Sequence, residues 1–247
     1  MSHQLLLLSS STVYGRDFLE HAHLAIGEFL EPHRTVLFAP YAVHDQDGYT
    51  ERVRRALSPF SVDVVGLYSV ADPRAAIAEA TLLFVGGGNT FRLAKSMQEL
   101  DLLGLIGERV REGKLSYLGA SAGTNLACPT LRTTNDMPIV EPRSFNALGL
   151  VPFQINPHFL DTSVNPTHMG ETREMRIGEF LDENDVVVLG MREGSWLRRN
   201  GERLLLEGNS GARLFERDKS SRELVGGDDL SHLLTQTPHF DHPPAIG

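Results

Sequence analysis

Leu115-Ser116-Tyr117-Leu118-Gly119-Ala120-Ser121-Ala122-Gly123-Thr124-Asn125-Leu126 is the stretch that decides the fold of this chain. An apolar run, Leu115 to Leu118, enters a cluster of small residues, and a helix-compatible segment leaves it. Gly119 and Gly123 bracket Ser121 with the G-x-S-x-G spacing of a sharp strand-to-helix turn, where a side chain at either glycine would crowd the backbone. The Ser121 hydroxyl is thereby lifted clear of the sheet. A helix N-terminus beneath it favours the negative charge that develops during acyl transfer.

The same strand-then-helix alternation runs outward from this turn. Gln4–Leu8, Thr35–Ala39, Val62–Leu67, Thr81–Val85 and Leu115–Leu118 read as strands. Asp17–Leu30, Tyr49–Leu57, Pro73–Ala80 and Thr90–Leu105 read as helices between them. The pattern predicts a doubly wound, mostly parallel α/β sheet flanked by helices on both faces. Val186–Leu189 continues it. Trp196–Arg199, Arg203–Leu206 and Ala212–Phe215, with turns at Asn200-Gly201 and Asn209-Ser210-Gly211, predict a short antiparallel extension near the C-terminus. Ligands of such sheets sit beyond the carboxyl ends of the strands. That rule singles out three loops: Gly86 to Thr90, Gly119 to Gly123, and Asn156-Pro157-His158.

Composition limits the function classes. The 247 residues are 41% hydrophobic, enough for a sizeable core, and the formal charge of −9 argues against nucleic acid or an anionic membrane as partner. An acidic substrate would need local arginines. The single cysteine, Cys128, excludes a disulfide framework and fits a reducing cytoplasm; it reads as a buried structural thiol. No run approaches the roughly 20 apolar residues of a membrane span. No motif suggests a metal or another cofactor.

A serine nucleophile needs a base, and His158 has the best placement of the ten histidines, after the apolar run Leu150 to Ile155 and beside Pro157. His21 and His23 read as solvated helix residues, and His239 and His242 lie in an irregular tail. Two carboxylates are candidates to orient the base: Asp136 in a polar loop, and Glu193 just past a strand, which is preferred for that placement. The amides of Gly88 and Ala122 are candidates for an oxyanion hole. Asn89, next to Gly88, is a candidate substrate contact.

Five segments in one order resemble the peptidase E (α-aspartyl dipeptidase) family of serine peptidases: Val85 to Phe91, Ser121 to Thr130, Arg132 to Val140, Ile155 to Phe159 and Gly170 to Glu174. The resemblance covers roughly residues 3 to 216. It implies a class I glutamine-amidotransferase-like fold and hydrolysis of dipeptides with an N-terminal aspartate. It implies Ser121 as nucleophile and His158 as base, and leaves the third member open between Asp136 and Glu193. Residues 1–218 are then expected to form a single peptidase domain, with 219–247 a partly irregular extension of no assigned role. A buried aspartyl side chain calls for a bidentate arginine, with Arg173 the first candidate and Arg132 and Arg176 the others. The expected partner is a small peptide, and the expected assembly a monomer or homodimer. Two alternatives stand beside this reading: a cyanophycinase-like β-aspartyl peptidase, disfavoured by Asn156-Pro157-His158-Phe159, and a catalytically silent metabolite-binding protein on the same fold.

Overall fold

A computed structural model describes residues 3–161 and 170–241. Within them the chain alternates strands and helices as the sequence predicts. β1 (Gln4–Leu8), β2 (Thr35–Ala39), β3 (Asp63–Gly66), β4 (Leu82–Val85) and β5 (Ser116–Ala120) are interleaved with α1 (His23–Leu30), α2 (Gln46–Leu57), α3 (Pro73–Glu79), α4 (Thr90–Glu99) and α5 (Leu103–Arg111). α6 (Ala122–Ala127), β6 (Gln154–Asn156), α7 (Arg173–Glu183) and β7 (Val188–Met191) follow, then β8 (Ser195–Asn200), β9 (Arg203–Gly208), β10 (Ala212–Phe215) and β11 (Arg222–Leu224).

Among the described residues these strands form two sheets. The larger has the order β3-β2-β4-β5-β1-β8-β9, the smaller β11-β10-β7-β6. β3, β2, β4, β5 and β1 run parallel, and β8 and β9 close that sheet as an antiparallel hairpin. In the smaller sheet β6 and β7 are parallel, and β10 and β11 are antiparallel additions. The antiparallel extension expected near the C-terminus is thus divided between both sheets.

β1 shows why its apolar run is unbroken. Leu5 and Leu7 face a core shared with α3 to α6 and the smaller sheet, while Leu6 and Leu8 face α1 and α2. A strand covered on both faces needs apolar residues at every position rather than alternate ones. Each fully buried leucine contributes roughly 1.5–3 kcal/mol of transfer free energy. α7 covers the outer face of the smaller sheet through Ile177 and Leu181 against Val188, Phe159 and Phe215.

Three predicted elements are corrected. The expected helix Asp17–Leu30 is a 3-10 turn at Glu20–Ala22 followed by α1, because Leu19, buried, takes a left-handed φ of 63° and hands its N–H to Ser11. The expected helix Thr90–Leu105 divides at Asp101 (φ 52°), where the N–H groups of Asp101 and Leu102 return to Gln98 and Met97. Those two bonds form a Schellman stop, sealed by Leu102 and Met97 in the core. The apolar run Leu150 to Ile155 gives a strand only at its end. Leu148, Gly149 and Leu150 instead cap the carbonyls at the end of α6.

One correction bears on the site. Only two of the three loops expected at one sheet edge leave the larger sheet; His158 follows β6 of the smaller sheet. The C-terminal region also returns to the body. Asp185 and His239 exchange backbone hydrogen bonds, and Asp241 forms a two-bond ion pair with Arg132. His242 lies outside the described residues. No helix among the described residues is long and apolar enough to cross a membrane.

Candidate active site

The turn between β5 and α6 is built as its glycines require. Ser121 has φ 52° and ψ −106°, a conformation unfavourable for a residue with a Cβ. A side chain on Gly119 would lie 2.8 Å from the Gly123 carbonyl, and one on Gly123 would collide with the Val85 carbonyl. The Leu8 carbonyl accepts from the Ser121 N–H (3.0 Å) and the Thr124 hydroxyl (2.6 Å), which pins the turn from β1. The buried Tyr117 hydroxyl donates to the Gly123 carbonyl at 2.7 Å.

Ser121 Oγ lies 2.8 Å from His158 Nε2, and His158 Nδ1 lies 2.6 Å from Glu193 Oε1. A carboxylate can only accept, so Nδ1–H donates to Glu193 and Nε2 presents its lone pair to the Ser121 hydroxyl. The pair is accessible: the side chains of His158 and Glu193 are 38% and 45% exposed, open to an incoming ligand. His158 also has a left-handed backbone, φ 54°. Its loop is held by Asn135, which donates to the Pro157 carbonyl (2.7 Å), and by Asn156, which donates to Thr133 O and Asn135 Oδ1 (each 2.8 Å). Arg192, beside Glu193, is anchored by ion pairs to Asp161 and Glu223.

Asp136 is elsewhere. Its Oδ2 accepts from Thr90 N (2.7 Å), Thr90 Oγ1 (2.6 Å) and Thr134 Oγ1 (3.2 Å), so it serves the N-terminus of α4. Of the two carboxylates, the structure brings Glu193 to the histidine and Asp136 to Thr90, the first residue of α4 after the glycine loop.

That loop, Gly86 to Asn89, commits most of its amides. Gly86 donates to Ala39 O, Gly87 to the Tyr49 hydroxyl and Asn89 to Ala42 O; among the described residues Gly88 N–H makes no such bond. Ala122 opens α6, where the amide has no intrahelical acceptor. Gly87 packs on the serine so closely that a side chain there would come within 3.2 Å of Ser121 Cβ. Gly88, at φ 131°, lies in a region that favours glycine. Asn89 caps α4 by accepting from Arg92 N and donates to Met137 O, so its side chain serves local structure. Burial pushes the Tyr49 phenol up, keeping it protonated.

The three arginines separate. Arg132 is held by Asp241 and Asn184, and Arg176 pairs with Glu171. Arg173 has no ion-pair partner among the described residues. Burial and the nearby Arg176 disfavour its charge, and Asp136 favours it. Cys128 is fully buried; burial pushes its thiol up to about 12, which leaves it an unreactive core residue. His21, expected in solvent, is half-buried beside Trp196, and burial holds it below the usual histidine range.

Two supporting residues escaped the sequence reading. Tyr49 was seen only as the start of a helix. Ser9 directly follows the buried parallel strand β1, at the edge where such sheets build sites.

Residues 5–206 match the peptidase family S51. Peptidase E of Streptomyces coelicolor is 56% identical over 96% of this chain and 97% of its own length. A probable alpha-aspartyl dipeptidase of Drosophila melanogaster is 47% identical over 93% and 97%. A solved structure of a peptidase from an acI-B1 Actinobacterium superposes with a TM-score of 0.64 at 15% identity, covering 93% of this chain and 97% of its own, a likeness of fold.

Proposed function

The chain belongs to peptidase family S51 and is a serine-type dipeptidase, and from that premise we propose that it removes N-terminal aspartate from dipeptides through Ser121, His158 and Glu193. The continuous hydrogen-bonded line from Ser121 Oγ through the His158 ring to Glu193 carries the proposal. His158 takes the Ser121 proton as Oγ attacks the peptide carbonyl. The amides of Gly88 and Ala122 receive the tetrahedral oxyanion. His158 then returns the proton to the leaving amine, and water, activated by the same ring, releases aspartate from the acyl-enzyme. Glu193 keeps the ring in the required tautomer and stabilises its charged form.

Arg173 is the proposed partner of the substrate's side-chain carboxylate. Its rivals are already engaged, Arg132 by Asp241 and Arg176 by Glu171, whereas Arg173 opens α7 with its guanidinium unpaired among the described residues. Asp136 supports it electrostatically and holds Thr90 at the start of α4.

Purified protein is expected to cleave Asp-Leu well and Ala-Leu at least 100-fold less efficiently. Arg173→Met is expected to lower kcat/KM on Asp-Leu by about 100-fold, the value of a bidentate charged pair, while leaving the slow turnover of Ala-Leu unchanged. Equal kcat/KM for the two dipeptides in the unaltered enzyme would remove the proposed specificity.

A further inference from the structure

The geometry points to Ser9 as the positioning residue that sets the distance between the serine nucleophile and its base. This rests on the reading of Ser121 and His158 given above. The two reacting side chains come from different sheets: Ser121 follows β5 of the larger sheet and His158 follows β6 of the smaller. Their 2.8 Å contact therefore depends on how the sheets are joined beneath the site.

The junction is made by two consecutive residues at the end of β1. The Leu8 carbonyl holds the nucleophile turn through Ser121 N–H and the Thr124 hydroxyl. The next polar group, the Ser9 hydroxyl, donates to the Met191 carbonyl at the end of β7 (2.8 Å) and accepts from the His158 N–H (3.0 Å). The Met191 carbonyl also accepts from Phe159 N–H (3.0 Å), closing a small ring of bonds around the base loop. Ser9 is fully buried, and its own N–H donates to Ser195 O at 3.0 Å, so it cannot shift without moving the sheet.

A hydroxyl is needed here because one atom must donate and accept at once. His158 has a left-handed backbone that a residue with a Cβ disfavours, and the bond from its N–H is what holds it there. Alanine at position 9 would leave the part-buried His158 N–H without its acceptor, and the loop would relax toward a common conformation. The ring would then leave the line between Ser121 and Glu193. Ser9 touches no substrate atom in this scheme, so ground-state binding is spared.

The test is Ser9→Ala, read as kcat per active site titrated with a fluorophosphonate, together with KM for Asp-Leu and the rate constant of fluorophosphonate inactivation. The expected result is a fall of about 30- to 100-fold in kcat per titrated site, with a parallel fall in inactivation rate and KM within about twofold. A purely structural role would lower the number of titratable sites and leave kcat per site unchanged. A value within threefold of the unaltered enzyme overturns the proposal. Should Ser9→Ala not fold, Ser9→Gly gives the same readout, since it too removes the hydroxyl, and the same limit applies. Failure of the unaltered enzyme to react with the fluorophosphonate would instead overturn the reading of Ser121, and the role of Ser9 with it.

Discussion

Ser121→Ala is expected to lower kcat on Asp-Leu by about 10⁴- to 10⁶-fold, with little change in thermal stability. The size follows from the arrangement. Cys128, the chain's one thiol, cannot replace the hydroxyl, being buried and protonated in the core. Water at the vacated Oγ position would meet His158 without the orientation a covalent nucleophile has. Stability is expected to hold, because among the described residues the hydroxyl's hydrogen bond goes only to the half-exposed His158 ring. Relief of the φ of 52° would need a glycine, so alanine neither gains nor loses there. Residual activity above one hundredth, measured with inhibitor-free protein and a coupled aspartate assay, would exclude an acyl-enzyme on Ser121.

The second large effect separates the two carboxylates. Glu193→Gln is expected to lower kcat by about 10²- to 10³-fold, because an amide can offer an N–H to Nδ1 and stabilise the wrong tautomer of His158. The half-exposed position of the Glu193–His158 pair keeps the figure below that of a buried triad, since solvent can partly replace the carboxylate. Asp136→Asn is expected to act differently. Its Oδ2 receives three hydrogen bonds from Thr90 and Thr134, so the change loosens the start of α4 and weakens the field at Arg173. The outcome is a raised KM for Asp-Leu and a lower melting temperature, with kcat within about tenfold. If Asp136→Asn instead lost as much kcat as Glu193→Gln with KM unchanged, the assignment of the orienting carboxylate would be wrong.

The fold was largely legible because it rests on local signals. The runs Leu5 to Leu8 and Leu82 to Val85 are apolar at every position, which only a strand buried on both faces sustains. Gly119 and Gly123 announced a turn that tolerates no side chain, and the structure places carbonyls where those side chains would be. What was hidden depends on contacts between distant residues. His158 was located in sequence, but the three-residue strand before it gives no sign that it belongs to a second sheet. The choice between Glu193 and Asp136 turns on which of two polar turns faces a ring 35 positions from Glu193. Arg132 stayed a specificity candidate until its partner appeared 109 positions away at Asp241. Leu19 and Asp101 broke expected helices through left-handed conformations that apolar periodicity cannot register.

The position of β1 has a consequence for how the chain acquires its structure. β1 precedes both its partners in the chain, yet it lies between β5 and β8, with Leu5 opposite both Tyr117 and Arg199. Loops of such length are slow to close, and the contacts that reward closure form late. Until β8 emerges, one edge of the apolar run Leu5 to Leu8 stays open, the kind of edge that recruits other chains. Pulsed hydrogen exchange during refolding should show the amides of Leu5 to Leu8 gaining protection together with those of Leu197 to Arg199, after those of β2 and β4. Protection of β1 before β8 would show that its edge is covered by something else. Since Leu8 and Ser9 hold the nucleophile and the base, the late docking of this first strand is also the moment at which the site comes into being.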